Sequence, residues 1–216
     1  VDHEFAFLCN PKCASTSIEM ELRPYSNLIT RNDATLKHIN IRKYSKFMLP
    51  LLMKIKPSAK IESFCMMREP LSWVESWYKF RTRDELRGHE NFTGNITFEE
   101  FVEAFISTSD KPKYARIPTQ FDFIKNNSDQ VAVDHIFTID NFQKLSEFLL
   151  PKLGVHINFP ATNKSPKKEI KFDLTLKNKL CSYLAKDLIV YEFLKSNGGF
   201  HRDIHHERIS AALREH

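Results

Sequence analysis

The chain has 216 residues, enough for one α/β domain with a sizeable core, and its 42% hydrophobic and 27% charged content is that of an ordinary globular protein. Only 5 glycines argue against a glycine-fingerprint dinucleotide fold, and a formal charge of +5 suits an anionic ligand. The basic residues are too scattered for a nucleic-acid arm, and no apolar run has the length of a membrane span. Val1 leads almost at once into strand-like sequence, so no signal peptide is expected. Cys9, Cys13, Cys65 and Cys181 match no zinc spacing or disulfide framework and read as reduced thiols, which points to a cytoplasmic protein, with a trimmed Golgi luminal domain as the alternative. The sequons at Asn91, Asn95, Asn126 and Asn163 carry little weight.

In chain order, His3 to Asn10 reads as a strand and Pro11 to Ser17 as a loop of small and polar residues. A helix to about Leu22 follows, with Ser15, Thr16 and Ser17 as caps, Glu19 and Glu21 near its start and Pro24 at its end. Thr35 to Met53 reads as irregular structure and then an amphipathic helix, and Ala59 to Met67 as a buried strand. Pro70 opens a helix carrying Trp73, Trp77 and Phe80 on one stripe. Helices are predicted over Thr97 to Ser107, capped by Thr97, and over Pro118 to Asn126, then a strand over Val131 to Thr138 and a helix over Asn141 to Leu153. Pro160 to Lys168 is a basic loop, and Leu174 to Leu194 one long helix ending at Asn197-Gly198-Gly199. Residues 1–200 read as a single domain, and 201–216 as a His- and Arg-rich, poorly ordered tail.

Strands alternating with helices imply a mainly parallel sheet with helices on both faces, whose ligands sit at the carboxyl ends of the strands. The first such junction is Pro11-Lys12-Cys13-Ala14-Ser15-Thr16-Ser17. Amides at a helix start, with the dipole behind them, attract an anion; Lys12 adds charge, and the three hydroxyls add donors. A well-capped helix beside a surface lysine explains the same residues. The loop has no glycine, so it is not a Walker A motif, and a magnesium-dependent kinase is disfavoured. The second junction places Arg68 at a strand end, where its guanidinium can fork onto a phosphate, and Ser76 two turns into the next helix. An Arg68 pair with Glu69 or Glu75 is the plainer alternative.

Together the two junctions resemble the PAPS-dependent sulfotransferases (PAPS is 3′-phosphoadenosine 5′-phosphosulfate). The similarity is greatest to the glycan-modifying branch with heparan sulfate 2-O-sulfotransferase and the Golgi carbohydrate sulfotransferases. Pro11 to Ser17 is similar to that family's 5′-phosphosulfate loop, P-K-x-A/G-S-T-S. Arg68-Glu69-Pro70 with Ser76 and Tyr78 is similar to its 3′-phosphate motif, R-x-P-x-x-R-x-x-S-x-Y, with Trp73 in place of the second arginine. The resemblance implies a P-loop-NTPase-like sulfotransferase fold, with PAPS as co-substrate, PAP as product and no metal. Lys12 would serve the leaving phosphate, and Lys12, Cys13, Ala14, Ser15, Thr16 and Ser17 would hold the 5′-phosphate. Arg68 and Ser76 would hold the 3′-phosphate. His38 is the expected general base, by likeness to a histidine before the family's second strand, and Asp33 and Glu62 are the substitutes. Asn163 to Lys168 is similar to the family's nucleotide-closing loop, which would bring in Ser165, Lys167 and Lys168. Asp134 to Phe142 resembles the family's strand-to-helix segment beside the nucleotide. Thr119-Gln120 is expected to face the acceptor, a hydroxyl-bearing molecule of the glycan class, with Lys79, Arg81, Arg83 and Arg87 as a basic surface for it or as a solvated face. A non-catalytic nucleotide- or glycan-binding module of the same fold is the rival reading.

Overall fold

In the computed structural model, residues 2–159 and 173–215 are described. A four-stranded sheet runs β1 (Phe5–Phe7), β2 (Glu62–Met67), β3 (His135–Thr138), β4 (Phe200–His201) in spatial order. The first three strands are parallel, and β4 returns antiparallel to β3. Strands buried on both faces read as continuous apolar runs, and Ser-Phe-Cys-Met-Met of β2 is one. Its alternation splits the interior in two. Phe64 and Met66 face one core, with Phe137, Leu145 and Leu149; Cys65 and Met67 face the other, with Ile136, Val190 and Leu194.

The crossover from β1 to β2 holds α1 (Ser15–Leu22), α2 (Ala34–Lys37), α3 (Ile41–Lys43) and, after a π-helical turn at Tyr44–Met48, α4 (Leu49–Ile55). The next crossover holds α5 (Pro70–Arg81), α6 (Phe98–Ile106) and α7 (Gln120–Ile124). Pro70 stands in the first turn of α5, where Glu69 caps Leu71 N–H and Ser72 N–H. Thr97 caps α6 in a capping box with Glu100. After β3 comes α8 (Phe142–Leu153), ended by Gly154 at φ 70°.

Several expectations are corrected. β2 and β3 begin later than the apolar runs suggested, and β1 is shorter than expected at both ends. The predicted helix from Leu174 to Leu194 is two helices, α9 (Leu174–Tyr183) and α10 (Ala185–Asn197), hinged at Leu184. Leu176, Leu180 and Leu184 enter the first core while Val190 and Leu194 enter the second, and one straight helix would not reach both. The segment after Phe200 is not a loose tail: β4 leads into α11 (Arg202–Arg214), which buries Ile209 and Leu213 in the second core. That apolar pair is spaced i, i+4 and is easily lost among the surrounding charges. No helix among the described residues is long and apolar enough to cross a membrane.

Candidate functional site

The loop after β1 is held in an unusual backbone. Lys12 (φ 63°) and Ala14 (φ 57°) both occupy the left-handed region, a cost of about 1–2 kcal/mol each for residues with a Cβ. Ala14 is the N-cap of α1 and offers no side-chain cap, correcting the expectation that Ser15, Thr16 or Ser17 would cap it. The first helical bond runs from Ile18 N–H to Ala14 C=O. The amides of Ser15, Thr16 and Ser17 are thus the donors that every helix start leaves without an intrahelical partner. Glu19 lies beyond the first turn and pairs with Arg31 at 2.7 Å and Lys37 at 2.8 Å. Strain, uncapped amides and the positive helix end are together features suited to an anion.

The second loop is bonded to the first. Trp73 Nε1–H of α5 donates to Pro11 C=O at 2.9 Å, and Asn10 Nδ2–H donates to Met66 C=O at 3.0 Å. Gln120, at the start of α7 and fully buried, joins both loops. Its Oε1 accepts Arg68 N–H at 2.9 Å and the Cys13 thiol at 3.1 Å, and its Nε2 donates to Arg68 C=O at 2.8 Å. Gln120 is held in turn by Asp187 of α10, which accepts Phe121 N–H at 3.1 Å. Burial lifts the Asp187 carboxyl to about 7 against the pull of the amides around it.

Three cations converge on this seam. Lys12 Nζ sits 4.1 Å from the Phe80 ring centroid, and the Arg83 guanidinium lies over the same ring at 5.0 Å. Burial, then Arg83, then Arg68 bring the Lys12 ammonium down to about 8. Arg68 Nη2 reaches Ser72 Oγ at 3.4 Å, and its Nε is buried without a partner. Among the described residues no carboxylate pairs with Lys12, Arg68 or Arg83: Glu69 is spent on its cap, Glu75 on Lys79 and Asp84 on Arg87. Lys12 and Arg68 are half-buried and Arg83 is exposed, so the seam presents unanswered positive charge at an accessible position, which suits an anion.

His38, the C-cap of α2, sits beside the first loop. Asp33 caps α2 through Thr35 N–H and Leu36 N–H, and the adjoining Lys37 is tied to Glu19. His38 Nδ1 lies 2.6 Å from Cys9 C=O. A carbonyl only accepts, so the proton is on Nδ1 and Nε2 of the neutral ring carries the lone pair. Burial lowers the His38 pKa, with Lys37 and Lys12 adding to the effect. Asp33 is occupied as a cap, and Glu62 opens β2 at the far end of the sheet, so neither shares this position.

The remaining candidates divide. Ser15 is buried, Thr16 is exposed and Ser17 is half-buried. Cys13 is wholly buried, its thiol given to Gln120 and its N–H to Asn10 C=O, and burial drives its pKa upward, so it is a packing residue. Ser76 lies half-buried on α5 and no hydrogen bond among the described residues engages it. Ser165, Lys167 and Lys168 lie outside the described residues. Gln120, expected to face the acceptor, is fully buried with its side chain engaged by Cys13 and Arg68. Arg81 is not part of a basic surface: it is buried against Trp77 at 5.0 Å, and burial lowers its pKa to about 10. A cavity of about 160 Å³ lies elsewhere, along the outer side of β1 between Leu22, Tyr25, Leu36 and Met48, and none of the three converging cations lines it. Gln120 and Asp187 carry no local sequence signal, since each acts through residues distant in the chain, and the local Phe80–Arg83 stack gains its place here only from the distant Lys12. In comparisons with protein-family models and with curated proteins the chain matches none, so the chemistry of this seam carries the functional reading.

Proposed function

We propose that the protein transfers the sulfuryl group of PAPS to an acceptor hydroxyl, releasing PAP, with a glycan as the acceptor class. The observation that carries this reading is the bonding of the two anion-suited loops through Trp73 and Gln120: Lys12 and Arg68 lie near enough for one to depress the protonation of the other, and among the described residues no carboxylate pairs with either. An adenosine bisphosphate presents anions at two ends of one molecule, which is what two joined cationic turns would bind.

In this reading the amides of Ser15 to Ser17 and the Lys12 ammonium take the 5′-phosphate end, and Arg68, with Ser76, takes the 3′-phosphate. The acceptor oxygen attacks sulfur as the bond from sulfur to the phosphate oxygen breaks. The electron pair leaves with PAP, where Lys12 offsets the growing charge, and the acceptor proton passes to His38 Nε2. Fixed donors aimed at developing charge account for most of such a rate enhancement. The test is a thermal-shift comparison of PAP, ADP and AMP followed by transfer from radiolabelled PAPS to a panel of hydroxylated glycans. Stabilisation by PAP well beyond the other two supports the donor. Equal shifts, or none, reject it. PAP binding without transfer to any acceptor favours the binding-module reading.

A further inference from the structure

At the opposite, amino-terminal edge of the sheet, three potential metal ligands meet. Glu62 opens β2, His135 opens β3 and His201 ends β4. The register sets His135 against His201 and against Phe64, two residues after Glu62, so strand alternation puts all three side chains on one face. Glu62 Oε1 is 3.0 Å from His135 Nε2. The two imidazole centroids are 4.4 Å apart with the rings near perpendicular. The three ligand-capable atoms all lie within 4.8 Å of one another. His201 Nδ1 is buried without a partner.

We infer that Glu62, His135 and His201 form a binding site for a divalent ion of the zinc class, separate from the Lys12–Arg68 seam. Two imidazoles and one carboxylate are a zinc donor set, with a further position open to water, and metal–ligand bonds of about 2.0–2.2 Å need ligand atoms roughly 3.3 Å apart. The Glu62–His135 contact of 3.0 Å is close to that, and with all three ligand atoms within 4.8 Å of one another a side-chain adjustment at His201 closes the set. His135 Nε2 now donates to the Glu62 carboxylate, so on metal binding that proton moves to Nδ1 through solvent and frees the Nε2 pair. The Lys152 ammonium bonds Glu62 Oε2, which leaves Oε1 as the single ligating oxygen and gives the carboxylate an outer partner. Phe148 packs over His135 at 4.4 Å between ring centroids and shields one side. The consequence is structural. β4 is two residues long, and an ion bridging β2, β3 and β4 would pin it, and α11 behind it, to the sheet.

The test is calorimetric titration of the chelator-treated full chain with zinc chloride, with cobalt(II) substitution read by its visible absorption. One equivalent should bind, raise Tm and be reversed by chelator, and cobalt should show the intense bands of a low-coordinate site. His201→Gln and His135→Gln should each weaken zinc binding by about tenfold or more, while Cys181→Ser should not. The thermal shift with PAP, unchanged in His201→Gln, shows that the variant is folded and decides the matter should His135→Gln misfold. Absence of stoichiometric binding, or binding unchanged in His201→Gln, overturns the proposal.

Discussion

The indole N–H of Trp73 donates to the carbonyl of Pro11 at 2.9 Å, so the residue that stands where the resembling family has a second arginine joins the two polar loops. It is almost wholly buried and meets Trp77 and Phe105 edge-on. Trp73→Phe keeps the packing and loses one hydrogen bond, for about 1 kcal/mol. Trp73→Arg, the family residue, would bury an unpaired charge at a cost of about 3 kcal/mol or more. With roughly 2–4 °C of Tm per kcal/mol for a chain of this size, thermal melting separates the two. An arginine variant with unchanged Tm and tighter PAP binding would show that the position belongs to the nucleotide site.

Gln120 is the second clamp. Gln120→Ala leaves Arg68 N–H and C=O unpaired in the interior, each worth about 1–3 kcal/mol. Tm should fall by several degrees, and PAP should bind more weakly than Tm loss explains, because Arg68 loses its backbone anchor. PAP affinity equal to wild type in the folded variant would show that the clamp is only structural.

His38 should act through Nε2. His38→Asn keeps a donor for Cys9 C=O but cannot take the acceptor's proton. The expected loss in transfer rate is about a hundred- to ten-thousand-fold with PAP affinity unchanged. Because the His38 pKa lies below its ordinary value, the wild-type rate should be level at neutral pH and fall only on the acid side of about 6.5, where the base becomes protonated. An acid limb above that value, or full activity in the variant, assigns the base elsewhere.

Lys12 supplies a pH test of binding. Its ammonium is charged below about 8 in the free protein, and a bound phosphate would raise that value. PAP should therefore bind at full strength below pH 8. Above it, binding must take up one proton, and Kd should rise by up to about tenfold per pH unit. Lys12→Arg stays charged and should flatten the profile. A wild-type Kd independent of pH between 7 and 9.5, roughly the window in which one lysine proton changes hands, would remove Lys12 from the phosphate.

Much of the architecture was legible because it depends on local pattern. The apolar run of β2, the Pro70 start of α5 and the Thr97 cap of α6 all register within a few neighbouring residues. The two polar loops were visible for the same reason: each is a strand end followed by a helix start. The break at Leu184 and the docking of α11 were not visible, since both depend on which core a side chain enters.

By itself the sequence determined a mainly parallel α/β sheet and the two polar turns at its strand ends, because hydrophobic period and turn chemistry act over one or two turns of chain. Tertiary structure alone decided that Trp73 and Gln120 bind those turns together, that Arg83 shares Phe80 with Lys12, and that Glu62, His135 and His201 meet at the other edge. The physical reason is one of distance along the chain: a hydrogen bond, a shared ring or a ligand set forms between residues dozens of positions apart, and only strand register and helix packing bring them within a few ångströms.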